Sequence, residues 1–375
     1  MKIACIYPGS FNAAWSVCDG ITSTLRRMGY EVTDCPRGRP RTPRITKELL
    51  SGQNLIVMSG HEHILENSQL TPFNKNELSL QDWKGLAVPR VFWAHESFTR
   101  EDRSWNFTPL APLADYHFFP AWQDADHYDQ EQFGAKGRVH WLPFGVDTDV
   151  FRPARCQKCF GSGKLVVHGM KGGTCDECLG AGFQATVKTV DLGFIGLLYP
   201  KRVAFFNQLV PHIVKNPQPG ITIGEVSLIQ DIEGPQWRET VERLASNYRR
   251  IGIFLNLPHL SQLLVTKVFE VMACGTFIMT PELDGRAEKN MVFGHMKELV
   301  YYGPRNIPYL WQVARYMHEH PEERERIALA GMYEIRAKHT LQQRLEEMLA
   351  AIVGLNKRQE EQNECRDGAT AKAGV

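Results

Sequence analysis

The sequence predicts an α/β protein of two parallel-sheet domains with a small cysteine-rich insert between them. Three observations carry that prediction. Short apolar runs alternate with helical stretches over residues 1–155, the alternation restarts at residue 183, and the segment 156–182 between them holds two C-x2-C pairs. At 375 residues the chain is long for one core and suits two domains of ordinary size. An apolar fraction of 43% beside 23% charged residues fits a globular chain that buries those cores.

The first domain, 1–155, opens with "KIACIYP" as a buried strand. "GITSTLRRMGYEV" is a helix stopped at Gly29 and followed by a second strand. "NLIVMSG", "PRVFWAH", "DYHFFPA" and "RVHWLPFG" are further strands, each ending in polar, Gly or Pro residues. Strands spaced by helical stretches imply βαβ units, so the domain is Rossmann-like. Ligands of such sheets sit beyond the carboxyl ends of the strands. That singles out Gly9, Ser10, His61, Glu62, His63, His95, Glu96 and Trp122 to Asp124.

The second domain, 183–355, repeats the scheme. "TVDLGFIG", "GITIGEV", "IGIFLNL", "TFIMTP" and "ELVYYG" are its strands. "KRVAFFNQLVPHI", "PQWRETVERLASNYRR" and "LLVTKVFEVMACG" are its helices, and further helices close the domain from Ile307 onward. Residues 356–375 are small and polar and are expected to be disordered.

Charge excludes one class of function. Lys+Arg number 43 against Asp+Glu 42, so bulk charge does not coat nucleic acid, although a local patch is allowed. No run reaches the roughly 18 apolar residues of a membrane helix. "MKIACIYPG" reads as a first strand and not as a secretory signal. Cys5, Cys18, Cys35, Cys274 and Cys365 are scattered and read as reduced thiols, from which a cytoplasmic location is expected.

The insert carries the sharpest motif. Cys156, Cys159, Cys175 and Cys178 have the spacing C-x2-C, fifteen residues, C-x2-C, and four thiolates so spaced close a tetrahedral zinc site. Each pair continues as x-G-x-G, where glycine lets the backbone turn its N–H groups toward sulfur. Four cysteine ligands leave no open position for water, so the zinc is expected to be structural. A redox C-x2-C would sit at a helix start after a strand, and a second pair would be redundant. The doubled C-x2-C-x-G-x-G resembles half of the zinc-binding region of DnaJ-type chaperones, which implies one zinc.

"HWLPFGVDTDVFRP", then "VDLGFIGLLYPKR", then "FLNLPHLSQLLVTKVFEVMACGTFIMTP" resemble nucleotide-sugar glycosyltransferases of the GT-B fold, in particular the group-1 type that includes spore-maturation-protein-like enzymes. The resemblance covers most of residues 139–350, with the insert interrupting it. The physical reading agrees with it. Gly196 makes a turn after a strand, and Lys201 and Arg202 follow near a helix start, an arrangement suited to a diphosphate. Lys267 and Glu270 are three apart on one helix face. The resemblance implies that Glu270 holds the ribose hydroxyls and Lys267 faces the phosphates, with Gly275 and Thr276 making the turn into the next strand. Gln262 stands eight residues before Glu270, where many relatives carry a glutamate, so a mechanism needing a carboxylate there is in doubt.

The acceptor side is expected in the first domain. His95 and Glu96 follow a strand where a general base would face the cleft. "CPRGRPRTPRITK" puts Arg37, Arg39, Arg41 and Arg44 in one proline-extended stretch without an acid, a grip for a polyanionic acceptor such as nucleic acid. The expected activity is sugar transfer from a nucleoside-diphosphate sugar to a hydroxyl, with hydroxymethylated DNA as one polymer acceptor the loop allows. Two alternatives stand beside it: a non-catalytic zinc-containing binding protein on a degenerate scaffold, and a nucleotide-sugar epimerase.

Overall fold

The computed structural model describes residues 1–8, 15–37, 45–59, 80–95, 111–128, 138–155, 164–167, 170–174, 183–184, 186–196, 199–215, 237–259 and 262–353. The expected strand at "GITIGEV" and the tail 356–375 lie outside them. The chain divides into two compact units, 1–145 with 261–263 and 341 onward, and 146–260 with 264–340. The boundaries expected at residues 155 and 355 therefore move, and one helix changes unit.

In chain order the first unit holds β1 (Lys2–Pro8), α1 (Trp15–Arg27), β2 (Glu31–Arg37), α2 (Lys47–Ser51) and β3 (Leu55–Ser59). It continues with α3 (Leu80–Lys84), β4 (Arg90–Trp93), β5 (Tyr116–Phe119), α4 (Trp122–Tyr128) and β6 (Val139–Trp141). The six strands form one parallel sheet in the order β2-β1-β3-β4-β5-β6. The apolar runs are continuous because both faces are buried. Ile3, Cys5, Val57, Val91 and Trp93 enter one core cluster, and Ala4, Ile6, Ile56, Met58 and Phe92 enter the other. This is the period of two expected of a strand covered on both sides. Helix α1 begins five residues earlier than the sequence suggests and stops where expected, at Gly29, whose φ of 87° suits glycine.

The second unit opens with the root of the insert. β7 (Ala154–Arg155) pairs antiparallel with β10 (Phe183–Gln184), and between them β8 (Lys164–Val167) and β9 (Met170–Thr174) form an antiparallel hairpin. Then follow β11 (Val190–Gly193), α5 (Pro200–Lys215), α6 (Trp237–Arg250), β12 (Ile251–Leu255) and α7 (Thr266–Ala273). β13 (Phe277–Pro281), β14 (Val300–Tyr302), α8 (Ile307–Glu319) and α9 (Pro321–Lys338) complete it. Strands β11-β12-β13-β14 form a second parallel sheet. Leu209, Ile253, Met279, Val300, Leu310 and Met317 are buried in its core. Gly331 lets α9 approach closely, because a Cβ there would stand 2.5 Å from the Glu298 carbonyl oxygen and 2.9 Å from Met272 Cε.

The last helix, α10 (341–353), was expected with the second domain and instead belongs to the first unit. Its Leu341, Leu345, Met348 and Ile352 share one helical stripe and are buried with Val17, Ile21 and Leu25 of α1. Among the described residues no helix is long and apolar enough to cross a membrane.

Candidate functional site

The carboxyl edge of the second sheet gathers the residues expected to hold a donor. β11 leads into Phe194, Ile195 and Gly196, and Gly196 sits at φ 151°, a conformation open to glycine and strained for other residues. A Cβ there would collide with Lys267 Nζ and stand 3.0 Å from the Phe194 ring and 3.5 Å from an Arg202 guanidinium nitrogen. The glycine therefore keeps a small space open between two cations.

Phe194 is the platform for both. Lys267 Nζ lies 4.6 Å from its ring centre and the Arg202 guanidinium carbon 5.2 Å, with Tyr199 4.3 Å from the same guanidinium. Arg202 is 5% exposed and Lys267 half-buried. Burial first, and then the neighbouring Arg202, push the Lys267 ammonium down to about 7, against the opposing pull of Glu270. Helix α7 begins one residue before Lys267, and Val265 offers no side-chain cap to its first N–H groups. An uncapped helix start beside two ring-held cations is suited to bind an anion.

Glu270 is 5% exposed and its Oε2 accepts from the Tyr248 hydroxyl at 3.1 Å. Burial and this carboxylate hold the Tyr248 phenol well above its ordinary range. Lys201 Nζ donates to the His259 carbonyl at 3.3 Å, and Tyr199 donates to the Pro258 carbonyl at 2.8 Å. These bonds tie the start of α5 to the segment after β12. Gly275 makes the turn at φ 69°. Thr276 is 1% exposed and donates its hydroxyl to the Tyr248 carbonyl at 2.9 Å, so its side chain braces α6. The structure thus gathers Gly196, Arg202, Lys267 and Glu270 about one edge. Phe194, Tyr199 and Tyr248 were not anticipated, though Phe194 stands two residues before "GLLYPKR" and Tyr199 lies within it.

The acceptor residues stand differently. His95 is expected to face a cleft, yet it is 5% exposed, edge-on to Trp93 and Phe144, with Nδ1 3.7 Å from Cys18 Sγ. Burial pushes its imidazole down to about 3, so it is neutral at ordinary pH and weakly basic. Its position differs from the expectation because the residue after β4 is covered by large aromatics. Arg37 ends β2, an edge strand of the first sheet. Glu96, Arg39, Arg41, Arg44, His61 and His63 lie outside the described residues. So do Cys156, Cys159, Cys175 and Cys178, and among the described residues no group of three or more His, Cys, Asp or Glu gathers to hold a metal.

Comparison with known proteins bears on this geometry. Residues 224–350, which contain β12, α7, Lys267 and Glu270, match the family described as "Glycosyl transferase-like". The whole chain superposes on sucrose-phosphate synthase from Thermosynechococcus elongatus, with a TM-score of 0.57 at 14% identity over 95% of this chain and 99% of that one. Anabaena HepE in complex with UDP-glucose superposes with a TM-score of 0.56 at 12% identity, over 94% and 100%. An alpha-glucosyltransferase in complex with UDP and a 13-mer DNA containing an HMU base gives 0.59 at 11%, over 94% and 99%. Residues 224–350 are thus similar to a glycosyl transferase-like family, and the chain as a whole has the GT-B fold. At these identities the superpositions speak for the fold, and none of the curated proteins matches the sequence. The matched residues include Lys267 and Glu270, and Phe194, Gly196 and Arg202 precede them in the chain.

Proposed function

We propose that the chain transfers a sugar from a nucleoside-diphosphate sugar, with UDP as the base carrier, to a hydroxyl acceptor. The observation that carries this is the pair Arg202 and Lys267, held on Phe194 at an uncapped helix start beside a glycine that leaves room between them. The diphosphate sits among these groups, and the cations and helix start stabilise the charge that grows on it as the glycosidic bond breaks. Glu270, oriented by Tyr248, takes the ribose hydroxyls. UDP is favoured because structures of this fold have been solved with UDP and UDP-glucose.

On the acceptor side, a neutral and weakly basic His95 leaves Glu96 as the candidate base of that stretch. A DNA acceptor fits the same reading, since one protein of this fold was captured with DNA. Calorimetry against UDP-, GDP-, ADP- and CDP-sugars tests the donor. UDP-glucose is expected to bind, and Glu270→Ala to weaken it by about ten- to a hundredfold, the worth of a charge-assisted hydrogen bond. Binding of none of them would favour the degenerate-scaffold alternative. Turnover of the UDP-sugar to its epimer without an acceptor would favour the epimerase.

The insert is proposed to hold one structural zinc through Cys156, Cys159, Cys175 and Cys178. The β7–β10 ladder and the β8–β9 hairpin support this, because each C-x2-C lies between them in the chain. Such a zinc supplies cross-linking energy and no open coordination site. Cys175→Ser is expected to release the zinc, read with a chromogenic chelator, and to lower the unfolding temperature while UDP-glucose affinity stays unchanged. Full zinc retention in that variant would overturn the assignment.

A further inference from the structure

Many arginines of this chain are neutralised on the molecule. Arg26 pairs with Asp34, Arg90 with Asp115, Arg326 with Glu323 and Arg344 with Glu347. At the root of the insert the pattern breaks. Arg152 precedes β7 and Arg155 ends it, opposite Phe183 of β10. The Arg336 guanidinium lies over the Phe183 ring at 4.6 Å. Arg249 donates to the Arg152 carbonyl at 2.9 Å, and Lys188 Nζ donates to the Arg249 carbonyl at 2.9 Å. None of these five cations forms an ion pair with a carboxylate among the described residues.

The like charges act on one another. Burial, then the fields of Arg155 and Arg249, disfavour the charged form of Arg152, with Asp149 and Glu242 opposing. Burial and then Arg324 push the Lys188 ammonium down to about 8. Arg249 and Lys188 are held by carbonyl oxygens and Arg336 by a ring, so these three are fixed in place, and the nearby carboxylates offset the field of the cluster in part. Such a cluster costs energy in the free protein and recovers it when an anion arrives. Several fixed cations around one ladder suit a chain of phosphates better than a single carboxylate.

We propose that the Arg152, Arg155, Lys188, Arg249 and Arg336 cluster at the root of the insert is a contact surface for the phosphate backbone of a nucleic-acid acceptor. The proposal rests on the transferase reading above, whose acceptor class it names. Contacts of this kind position a duplex without reading its sequence, so binding there is sequence-tolerant and strongly salt-dependent.

The test uses the full, zinc-loaded chain and a short fluorescein-labelled DNA duplex, with anisotropy read over a salt series. Wild type is expected to bind at low salt. Arg152→Gln with Arg155→Gln is expected to lose about tenfold or more in affinity, and its log–log salt slope to shrink by about two phosphate contacts. Arg155→Lys, which keeps the charge, is expected to retain most of the binding. UDP-glucose calorimetry and thermal unfolding on the same proteins separate the two readings. Unchanged donor affinity and unfolding temperature with lost DNA affinity support the surface. Failure of wild type to bind DNA at low salt, or equal affinity of wild type and the double variant, overturns it. DNA binding lost as expected in a chain that binds no sugar nucleotide leaves the surface standing and removes the donor reading.

Discussion

Gly196→Ala is expected to lower donor affinity by about ten- to a hundredfold in a chain that still folds. The φ of 151° at this position costs any residue with a Cβ about 1–3 kcal/mol of strain. The new methyl would also fall on Lys267 Nζ and press on the Phe194 ring. The ammonium can swing away and the ring cannot, since Phe194 is 3% exposed in the packed core. That swing takes a cation from the diphosphate, a loss of about ten- to a hundredfold in affinity per charge-assisted bond. UDP-glucose calorimetry on the variant, with its unfolding temperature, checks the result. Wild-type affinity in a variant of normal stability would show that the diphosphate does not sit here.

The second large effect is a proton taken up with the donor. With its ammonium held near 7, Lys267 is largely neutral at pH 8 in the free protein. A dianionic diphosphate brought against it favours the charged form, so binding at pH 8 draws in close to one proton. The diphosphate of a sugar nucleotide has no pKa in that range, and the proton therefore reports the lysine. Donor affinity is expected to fall as pH rises above 7. Calorimetry in two buffers of different ionisation enthalpy counts the protons. Lys267→Met is expected to remove the uptake and to lower kcat/KM by about 10²–10³-fold, the usual cost of one transition-state donor. Uptake that survives in Lys267→Met would assign the proton elsewhere. The same shift acts on stability with a definite sign. The folded-state value lies below that of the unfolded lysine, near 10.4, so the unfolded chain binds more protons between about 7 and 10.4. The penalty is full below 7 and is relieved as pH rises through that window.

Much of this site was legible in the sequence, and the reason is local. Gly196, Lys201 and Arg202 follow a strand directly, Lys267 and Glu270 share a short helix, and the resemblance to GT-B transferases joins the two groups into one expected site. The two sheets were legible for the same reason, since a strand buried on both faces is a run of apolar residues. What was not legible depends on contacts distant in sequence. Tyr248 reaches Glu270 from another helix, and nothing in "SNYRR" marks it for that task. His95 has the composition and position of a base, and its burial, among Trp93 and Phe144, pushes its imidazole down to about 3. Thr276 has the sequence place of a ligand residue, and its hydroxyl is committed to the Tyr248 carbonyl. The four insert cysteines are a pattern that sequence reads well, and they lie outside the described residues.

Helix α10 has a consequence for the order in which the chain can be made. The second unit is nearly contiguous, so all but three of the residues between 146 and 340 can leave the ribosome and fold as one body. The first unit begins synthesis earlier and finishes later. One face of its sheet keeps a gap where Leu341, Leu345, Met348 and Ile352 belong until residues 341–353 have emerged. During that interval α1 lacks its packing partner on that side, and apolar surface stays open to chaperones and to other nascent chains. A nascent chain exposed only as far as residue 340 would hold a folded second unit tethered to an unfinished first one, and a protease would find the early half of the protein before the late one.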